Sequence, residues 1–453
     1  MKKTLLILCL LGMVSAGTVS AQKKFPTLLD NYMQAQVSVN EFSGTVLVAY
    51  KGSVIYKKAF GYADREWKLP NTTDTKFEIC SLTKQFTAAA ILQLAEQHRL
   101  NLNDKLSVYF PGYPKGDSVT LHMLLNHTSG IADYTGLPRF YALHTLPLSK
   151  DSVIALFKNQ PYKFSPGTKW DYSNSNYFLL GCIIEKVTKQ PYDVYLYKNV
   201  IGKAGLTNTA VNHPDSVLAY RARGYSKTET GGWKNAEQFS MELVYSAGSV
   251  ISTVTDLYAW QNALFGDKII SPEMVAKMTT PYLENYGYGL TIDTMEHHKR
   301  ISHGGAAPGF TSFLCSFPAD GISIIVLSNN FGNSGPIGDA LADILFGRPV
   351  EFPHKIIERP INTAVLKRYP GKYQLFQSAG TLNFELINEG DKLYLKPDNS
   401  GNFKMELKPE SETRFFFARD HDQEIEFTLD PTGSILKCYL INKGAKFEIK
   451  RKI

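Results

Sequence analysis

Residues 80–94 read CSLTKQFTAAAILQL. Phe86, Ala90 and Leu94 belong to an apolar pattern that runs almost all round a helix, and such a helix is normally buried at the centre of a domain. At its start Ser81 and Lys84 fit the pattern S-x-x-K, and residues three apart on a helix lie on the same face. The stretch therefore predicts a central helix on which a serine hydroxyl and a lysine amine come within reach of each other.

This pair of residues is suited to nucleophilic chemistry. A partly desolvated lysine can lose its proton near neutral pH and accept the proton of a neighbouring serine. The free N–H groups at a helix N-terminus favour an oxyanion that forms there. The pattern alone is weak, because Ser434 and Lys437 repeat it in an apparent hairpin, and Ser81 has a competing interpretation as a helix N-cap.

The segments around this helix predict one large α+β domain. An amphipathic stretch covers residues 25–37, mainly helical patterns fill residues 81–281, and a further helix is predicted over residues 336–346. Strand patterns lie at both ends of the region, at residues 45–50, 54–60, 286–292, 300–303, 310–317 and 322–328. Helices inserted between distant strands predict three layers, an antiparallel sheet flanked by helices, together with a helical subdomain.

A second, all-β domain is predicted at the C-terminal end. The proline-containing residues 349–361 are typical of a linker, so that residues 22–348 form the first domain and residues 362–453 the second. Short alternating strands separated by turns fill residues 362–453. They predict a small barrel or sandwich of about eight strands.

A tyrosine and an asparagine form a second candidate motif. Tyr172-Ser173-Asn174 follows the turn signal Pro166-Gly167 and precedes a helical pattern. A phenol at this point can act as base toward Ser81 and later as acid toward a leaving group, while the Asn174 amide can hold a substrate carbonyl. Tyr197 to Asn199 repeats the pattern within a surface-type helix, and a packed turn tyrosine is the competing interpretation of Tyr172.

A histidine beside paired glycines forms the third motif. His303-Gly304-Gly305 ends a predicted strand and is followed by Ala306. Paired glycines let a second chain or a ligand approach the backbone closely. A substrate that pairs with this edge would find the Ala306 N–H beside that of Ser81, and the two could bind an oxyanion together. Taken alone, a histidine near glycines is more often structural.

Composition excludes several other classes of protein. The formal charge of +7 over 453 residues is spread without a basic run, so a nucleic-acid partner is not expected. No G-x-S-x-G, phosphate-binding or dinucleotide motif is present. The cysteines beyond residue 21 are widely spaced and predict free thiols, and neither they nor His297 and His298 predict a metal site. We expect no cofactor and no transmembrane segment.

The first residues have the composition of a signal peptide. Lys2 and Lys3 precede an apolar run over residues 5–11, and small residues end at Ala21. The prediction is a signal peptide over residues 1–21 and an exported chain, periplasmic or secreted, that starts near Gln22. Cys9 lies within the apolar run and follows Leu8, which is atypical of a lipid-anchored cysteine.

The order and spacing of the three motifs resemble those of the serine β-lactamase and penicillin-binding-protein superfamily. The resemblance spans roughly residues 25–346 and is closest to the class C β-lactamase-like branch, which includes D-alanyl-D-alanine carboxypeptidases, D-aminopeptidases and esterases. Residues 124–131, LLNHTSGI, and Ser246-Ala247-Gly248 are similar to further stretches of that branch. The all-β tail resembles the β domains often appended to such hydrolases.

The resemblance implies a role for each motif. Ser81 would be the nucleophile, Lys84 and Tyr172 the proton carriers, and Asn174 a residue that orients the substrate. His303 takes the place of the lysine in the K-T-G element of the family, and the edge formed with it by Gly304, Gly305 and Ala306 would bind substrate. Because a histidine is mostly neutral near pH 7, this substitution favours a peptidase or esterase over an efficient penicillin hydrolase.

The sequence thus predicts a serine hydrolase that acts through an acyl-enzyme on an ester or amide. Its substrate would be a small molecule or peptide, such as a D-amino-acid peptide, a small ester or a β-lactam-like compound. One alternative is a protein that binds or senses cell-wall peptides or β-lactams without turnover. Another is a structural protein in which the motifs coincide by chance, and the oligomeric state is left open.

Overall fold

The computed structural model describes residues 24–39, 42–213, 215–228, 231–330, 332–377, 380–398, 400–418, 420–442 and 445–452. The expected signal peptide, residues 1–21, lies outside these ranges. The chain divides into two compact units between Val350 and Glu351. Within the described ranges, no helix is both long enough and apolar enough to cross a membrane.

The first unit contains an antiparallel sheet assembled from both ends of its sequence. The strands of the whole first unit are β1 (Gly44–Tyr50), β2 (Ser53–Phe60), β3 (Tyr62–Asp64), β4 (Leu69–Pro70), β5 (Phe77–Glu78), β6 (Ala210–Val211), β7 (Tyr225–Lys227), β8 (Trp233–Asn235), β9 (Val250–Ser252), β10 (Thr291–Met295), β11 (His298–Ala307), β12 (Phe310–Phe317) and β13 (Ile322–Ser328). The main sheet has the order β10-β11-β12-β13-β1-β2, and every neighbouring pair is antiparallel. The predicted α+β class and antiparallel sheet are confirmed.

Helices cover both faces of this sheet. The helices of the first unit are α1 (residues 24–39), α2 (Thr83–Glu96), α3 (Leu106–Tyr109), α4 (Leu121–Leu125), α5 (Pro138–Leu143), α6 (Lys150–Phe157), α7 (Asn174–Thr188), α8 (Tyr192–Leu196), α9 (Gly202–Ala204), α10 (Met241–Gly248), α11 (Val254–Phe265), α12 (Pro272–Met278) and α13 (Ser334–Leu345). Side chains alternate along a strand, so Val46 packs with α1 and α13 while Leu47 packs with the larger cluster around α2.

Helix α2 lies at the centre of the larger cluster, as its apolar pattern predicts. Every residue from Thr83 to Leu94 is buried, including Lys84 and Gln85. The indole N–H of Trp260 donates to the Gln85 side-chain oxygen at 3.1 Å, whereas the Gln85 side-chain nitrogen is buried without a partner among the described residues. The N-terminal end of α2 is therefore held rigidly inside the unit.

Two of the predicted strands differ from the observed ones. The strand predicted over residues 286–292 was wrong over its first five residues, because β10 begins at Thr291. Gly289 has φ 70°, outside the range of a strand, and a Cβ there would lie 2.8 Å from the Lys84 carbonyl. The strand predicted over residues 300–303 is longer than expected, since β11 continues through both glycines to Ala307.

Helix α10 is kinked where it meets α7. Tyr245 has φ 37° and ψ −133°, which a non-glycine residue adopts only under strain. Gly181 of α7 allows the close approach, because a Cβ on this residue would lie 2.1 Å from the Ser246 hydroxyl oxygen. Ser246 donates to the Tyr177 carbonyl at 2.8 Å and accepts from Thr87 at 2.7 Å through its own carbonyl. These contacts fix the segment that follows the kink.

The second unit is a closed antiparallel barrel, which confirms the predicted all-β fold and selects the barrel over the sandwich. Its strands are β14 (Gly371–Gln377), β15 (Gly380–Glu389), β16 (Lys392–Pro397), β17 (Met405–Pro409), β18 (Arg414–Phe417), β19 (Asp420–Leu429), β20 (Ile435–Asn442) and β21 (Ala445–Arg451). They pair in sequence order, and β21 returns to β14. Tyr369, Phe384 and Phe415 are among the side chains that fill the interior. The limits at residues 349–361 and 362–453 stay predictions.

The four cysteines within the described ranges are unpaired, as the sequence predicts. Cys80, Cys182 and Cys315 are buried in the first unit and Cys438 in the second. Burial raises the pKa of each thiol, so the reactive thiolate form is disfavoured.

The contact between α7 and α10 should be sensitive to one methyl group. We expect Gly181→Ala to lower the free energy of unfolding by about 1–3 kcal/mol, because the new Cβ overlaps Ser246. Gly136→Ala is the matched control, since a Cβ at Gly136 meets nothing within 4 Å. All four tryptophans, Trp67, Trp170, Trp233 and Trp260, precede Val350, so urea unfolding followed by tryptophan fluorescence reports on the first unit. Equal stability of the two variants would contradict the packing argument.

Candidate active site

Ser81 lies in a single 3₁₀ turn, Cys80–Leu82, directly before α2. The residue at the N-cap position of α2 is Leu82, and Ser81 makes no capping hydrogen bond. The interpretation of Ser81 as a helix N-cap was therefore wrong. Its side chain is partly exposed, and the Lys84 Nζ lies 3.1 Å from its hydroxyl oxygen. The predicted pairing of serine and lysine across one helical turn is confirmed.

The Lys84 amine is completely buried and has three partners. Besides Ser81, it contacts the Asn174 side-chain oxygen and the Ala247 carbonyl, each at 2.8 Å. Burial lowers the pKa of Lys84 to about 7, although the carboxylate of Asp133 acts in the opposite direction. As an ammonium, Lys84 donates to all three partners. As a neutral amine, it donates to Asn174 and Ala247 and its lone pair is left for the Ser81 proton.

The carbonyl of Ala247 reaches Lys84 because of the kink in α10. The residue follows Tyr245 by two positions, and the distorted backbone turns this carbonyl inward. Sequence reasoning noticed Ser246-Ala247-Gly248 only as a resemblance and missed the role of the carbonyl. Because the acceptor is a backbone carbonyl, the residue type at position 247 does not indicate this role.

Tyr172 lies beside the serine and the lysine. The centre of its ring is 4.9 Å from the Lys84 Nζ. Burial raises the pKa of Tyr172, and the nearby Ser81 side chain offsets only part of that rise. The phenol therefore keeps its proton at neutral pH.

Asn174 is engaged within the protein at both ends of its amide. The oxygen accepts from Lys84, and the nitrogen donates to Asp133 at 3.3 Å and to Thr135 at 3.2 Å. Without substrate, the donors and the acceptor of this amide therefore all have partners within the protein, and the expected contact of Asn174 with a substrate carbonyl stays a prediction. Asp133, which sequence reasoning missed, also accepts from the Asn174 backbone N–H at 3.1 Å and thereby fixes the amide.

His303 lies on β11 with 6% of its surface exposed. Its Nδ1 is 2.6 Å from the Gly304 carbonyl oxygen, and its Nε2 is 2.8 Å from the hydroxyl of Tyr286. Since a carbonyl only accepts, Nδ1 must carry the proton, and Nε2 accepts from the tyrosine. Burial and then the nearby Lys84 lower the pKa of His303 to about 4. The imidazole is therefore neutral, and both nitrogens are occupied.

The glycine-containing end of β11 runs beside the nucleophile turn. A Cβ on Gly305 would lie 2.5 Å from the Ile79 carbonyl oxygen, so only glycine allows this approach. The hydroxyl of Ser312 on β12 donates to the same carbonyl at 2.7 Å. Gly304 and Ala306 are exposed, and β10 pairs with β11 only as far as Ser302. Beyond Ser302 this edge of β11 is therefore not paired with β10.

The structure brings these predicted residues into one site. The rings of Tyr172 and His303 lie 6.2 Å apart, and Tyr172 contacts both Ser81 and Lys84. Tyr286 was missed as a site residue because it fell within a predicted strand. His127 was quoted only as part of a resembling stretch, yet it is fully buried and its ring lies 4.4 Å from that of Tyr172.

The competing motifs lie elsewhere. Ser434 is in the turn between β19 and β20 of the barrel, and Tyr197 is exposed. A cavity of about 400 Å³ near the other end of α2 is lined by Ala95, His122, Tyr282 and Tyr288, together with other residues. The residues that line it do not include Ser81, Tyr172 or His303.

One group of possible metal ligands occurs among the described residues. His354, Glu410 and Glu424 of the second unit lie close enough to share an ion. The guanidinium of Arg414 already forms ion pairs with both glutamates. A cation at this place would have to compete with that arginine.

Comparison with known proteins identifies the family of the first unit. A sequence model of the family described as Beta-lactamase matches residues 28–346. This chain belongs to the beta-lactamase family. The resemblance inferred from the three motifs is thereby confirmed, and the family places the chain in the serine hydrolase superfamily.

The relatives include penicillin-binding proteins and an amidohydrolase. Penicillin-binding protein 4* of Bacillus subtilis is 33% identical over 420 residues, which cover 86% of this chain and 91% of that protein. The octameric penicillin-binding protein homologue from Pyrococcus abyssi is 26% identical with a TM-score of 0.68, over 94% of this chain and 99% of that one. A D-stereospecific amidohydrolase from Streptomyces sp. is 26% identical with a TM-score of 0.61, over 70% and 98%.

The hydrogen bonds of His303 give a spectroscopic prediction. We expect His303 to stay neutral with the proton on Nδ1 from pH 5.5 to 8, as measured by ¹⁵N chemical shifts of histidine-labelled protein. The hydrogen bond from the Tyr286 hydroxyl to Nε2 stabilises the neutral ring. Tyr286→Phe removes this donor, so the pKa of His303 should rise. Tyr282→Phe is the matched control, because its hydroxyl contacts Tyr288 instead. Titration of His303 near pH 6.5 in the unmodified protein would contradict the assignment.

Proposed function

We propose that the chain hydrolyses an ester or an amide through an acyl-enzyme formed at Ser81. The observation that carries this proposal is the set of partners around Lys84. Two acceptors, Asn174 and Ala247, take both hydrogens of a neutral amine, so its lone pair faces Ser81. Burial supplies the lowered pKa that a lysine needs to act as a base at neutral pH.

In the first half of the reaction, Lys84 takes the proton as the Ser81 oxygen attacks the substrate carbonyl carbon. The bond from that carbon to the leaving nitrogen or oxygen then breaks, and the leaving group receives a proton. Tyr172 is suited to this donation, because its raised pKa keeps the phenol protonated beside Ser81. In the second half, water attacks the acyl carbon and passes one proton to the Tyr172 phenolate. The bond from that carbon to the Ser81 oxygen breaks, Ser81 takes back the proton held by Lys84, and the carboxylic acid is released.

The negative charge on the attacked oxygen needs hydrogen-bond donors. The backbone N–H groups of Ser81 and Ala306 are the pair that we propose, since the turn that carries Ser81 abuts β11 at Gly305. In this proposal, the edge formed by Gly304, Gly305 and Ala306 lies along the bound substrate. His303 shapes that edge through its hydrogen bond to the Gly304 carbonyl.

The substrate class proposed is a D-amino-acid peptide, a small ester or a β-lactam-like compound. Relatives named as penicillin-binding proteins and as a D-stereospecific amidohydrolase support this range. We also propose an exported, periplasmic or secreted location, which is supported by the composition of residues 1–21. Sequencing the N-terminus of protein recovered outside the cytoplasm tests that location.

Removing the nucleophile should abolish turnover. We expect Ser81→Ala to lower kcat/KM for p-nitrophenyl acetate by at least about a thousandfold, because no other group in the site replaces the hydroxyl. A fluorophosphonate should label Ser81 alone, as located by peptide mapping. Ser434→Ala, in the barrel copy of the S-x-x-K pattern, is the matched control and should keep full activity. Unchanged turnover in Ser81→Ala would disprove the proposal, whereas labelling of Ser81 without any product release would favour the non-turnover binder.

Activity should depend on the protonation of Lys84. Because the neutral amine is the base, kcat/KM should rise with pH through about pH 7 and level off above it. We expect Lys84→Gln to remove this rise and to lower kcat/KM by about a hundredfold or more. Lys437→Gln serves as the control in the second S-x-x-K pattern. A rate that stays constant from pH 5.5 to 8.5 in the unmodified protein would exclude Lys84 as the base.

A further inference from the structure

We infer that this site prefers esters and amides whose leaving group carries no carboxylate beside the scissile bond. Free-acid D-amino-acid peptides and β-lactams, which carry such a carboxylate, would be acylated more slowly than uncharged analogues. The inference narrows the proposed function and rests on acyl transfer to Ser81.

The strand beside Ser81 offers no side chain that can bind an anion. From Gly304 to Ala307 its residues are two glycines and two alanines, so no hydroxyl, ammonium or guanidinium projects from this edge. From this part of β11, a leaving group that lies along the edge meets only backbone groups and two alanine methyl groups. Neutral backbone donors can bind a carboxylate, but they supply no opposite charge.

His303 cannot supply that charge either. Its Nδ1–H is bound to the Gly304 carbonyl at 2.6 Å, and its Nε2 accepts from Tyr286 at 2.8 Å. A carboxylate that took the Nδ1 proton would leave the Gly304 carbonyl without its partner. Protonation of Nε2 would require the Tyr286 hydroxyl to turn away inside a buried site.

The remaining charges in the site also disfavour a second carboxylate. Asp133 is close enough to act electrostatically on both Lys84 and Tyr172. A substrate carboxylate near Lys84 would add to this effect and favour the ammonium form of Lys84, which is the form that cannot accept the Ser81 proton.

Two esters that differ only in the leaving group test this preference. We would compare N-acetyl-D-alanine esters of 3-hydroxybenzamide and of 3-hydroxybenzoate, which give the same acyl-enzyme, so that kcat/KM isolates the acylation step. We expect kcat/KM to be at least about tenfold higher for the benzamide ester. Equal values, or a higher value for the benzoate, would overturn the inference.

Turnover of either ester that survives Ser81→Ala would instead disprove the proposed function itself, and the inference would fall with it.

Discussion

A fully buried lysine amine needs hydrogen-bond acceptors, and the first unit supplies them to Lys84 from three separate elements. Ser81 comes from the turn before α2, Asn174 from the start of α7, and the Ala247 carbonyl from the kinked α10. Removing a charged group from water destabilises a fold, so burial of this amine costs stability unless the group becomes neutral. The same burial gives the amine a basicity suited to neutral pH.

The packing around Lys84 positions the acceptors of its amine, but it does so through features that do not stabilise the fold. Neither the strained backbone of Tyr245 nor the absence of a side chain at Gly181 stabilises the fold by itself. Together they let α7 and α10 approach each other until a carbonyl faces the lysine. Local strain that is held in place by its neighbours is common where a site must be organised before substrate arrives.

The parts of the site that could be predicted from sequence are those that residue type and local spacing record. The apolar run after Ser81 identified the central helix, and the interval of three residues paired Ser81 with Lys84. The identical pattern at Ser434 shows that spacing needs context, because there it falls in a barrel turn. The internal partners of Asn174 could not be predicted, since Asp133 lies 41 positions away and is joined to it only by the fold. Nothing in the sequence marks the Ala247 carbonyl or the Tyr286 hydroxyl as site groups, because tertiary geometry alone aims them.

The closure of the second unit has a consequence for how the chain tolerates cutting. Its final strand, β21, pairs with β14, so the sheet offers no row of unpaired backbone groups to another molecule. The barrel has no unpaired edge only as long as β21 stays paired with both of its neighbours. Loss of residues 445–451 would uncover the borders of β14 and β20 at once. Trimming at this point would turn a self-contained barrel into a template for cross-molecule β-pairing and aggregation.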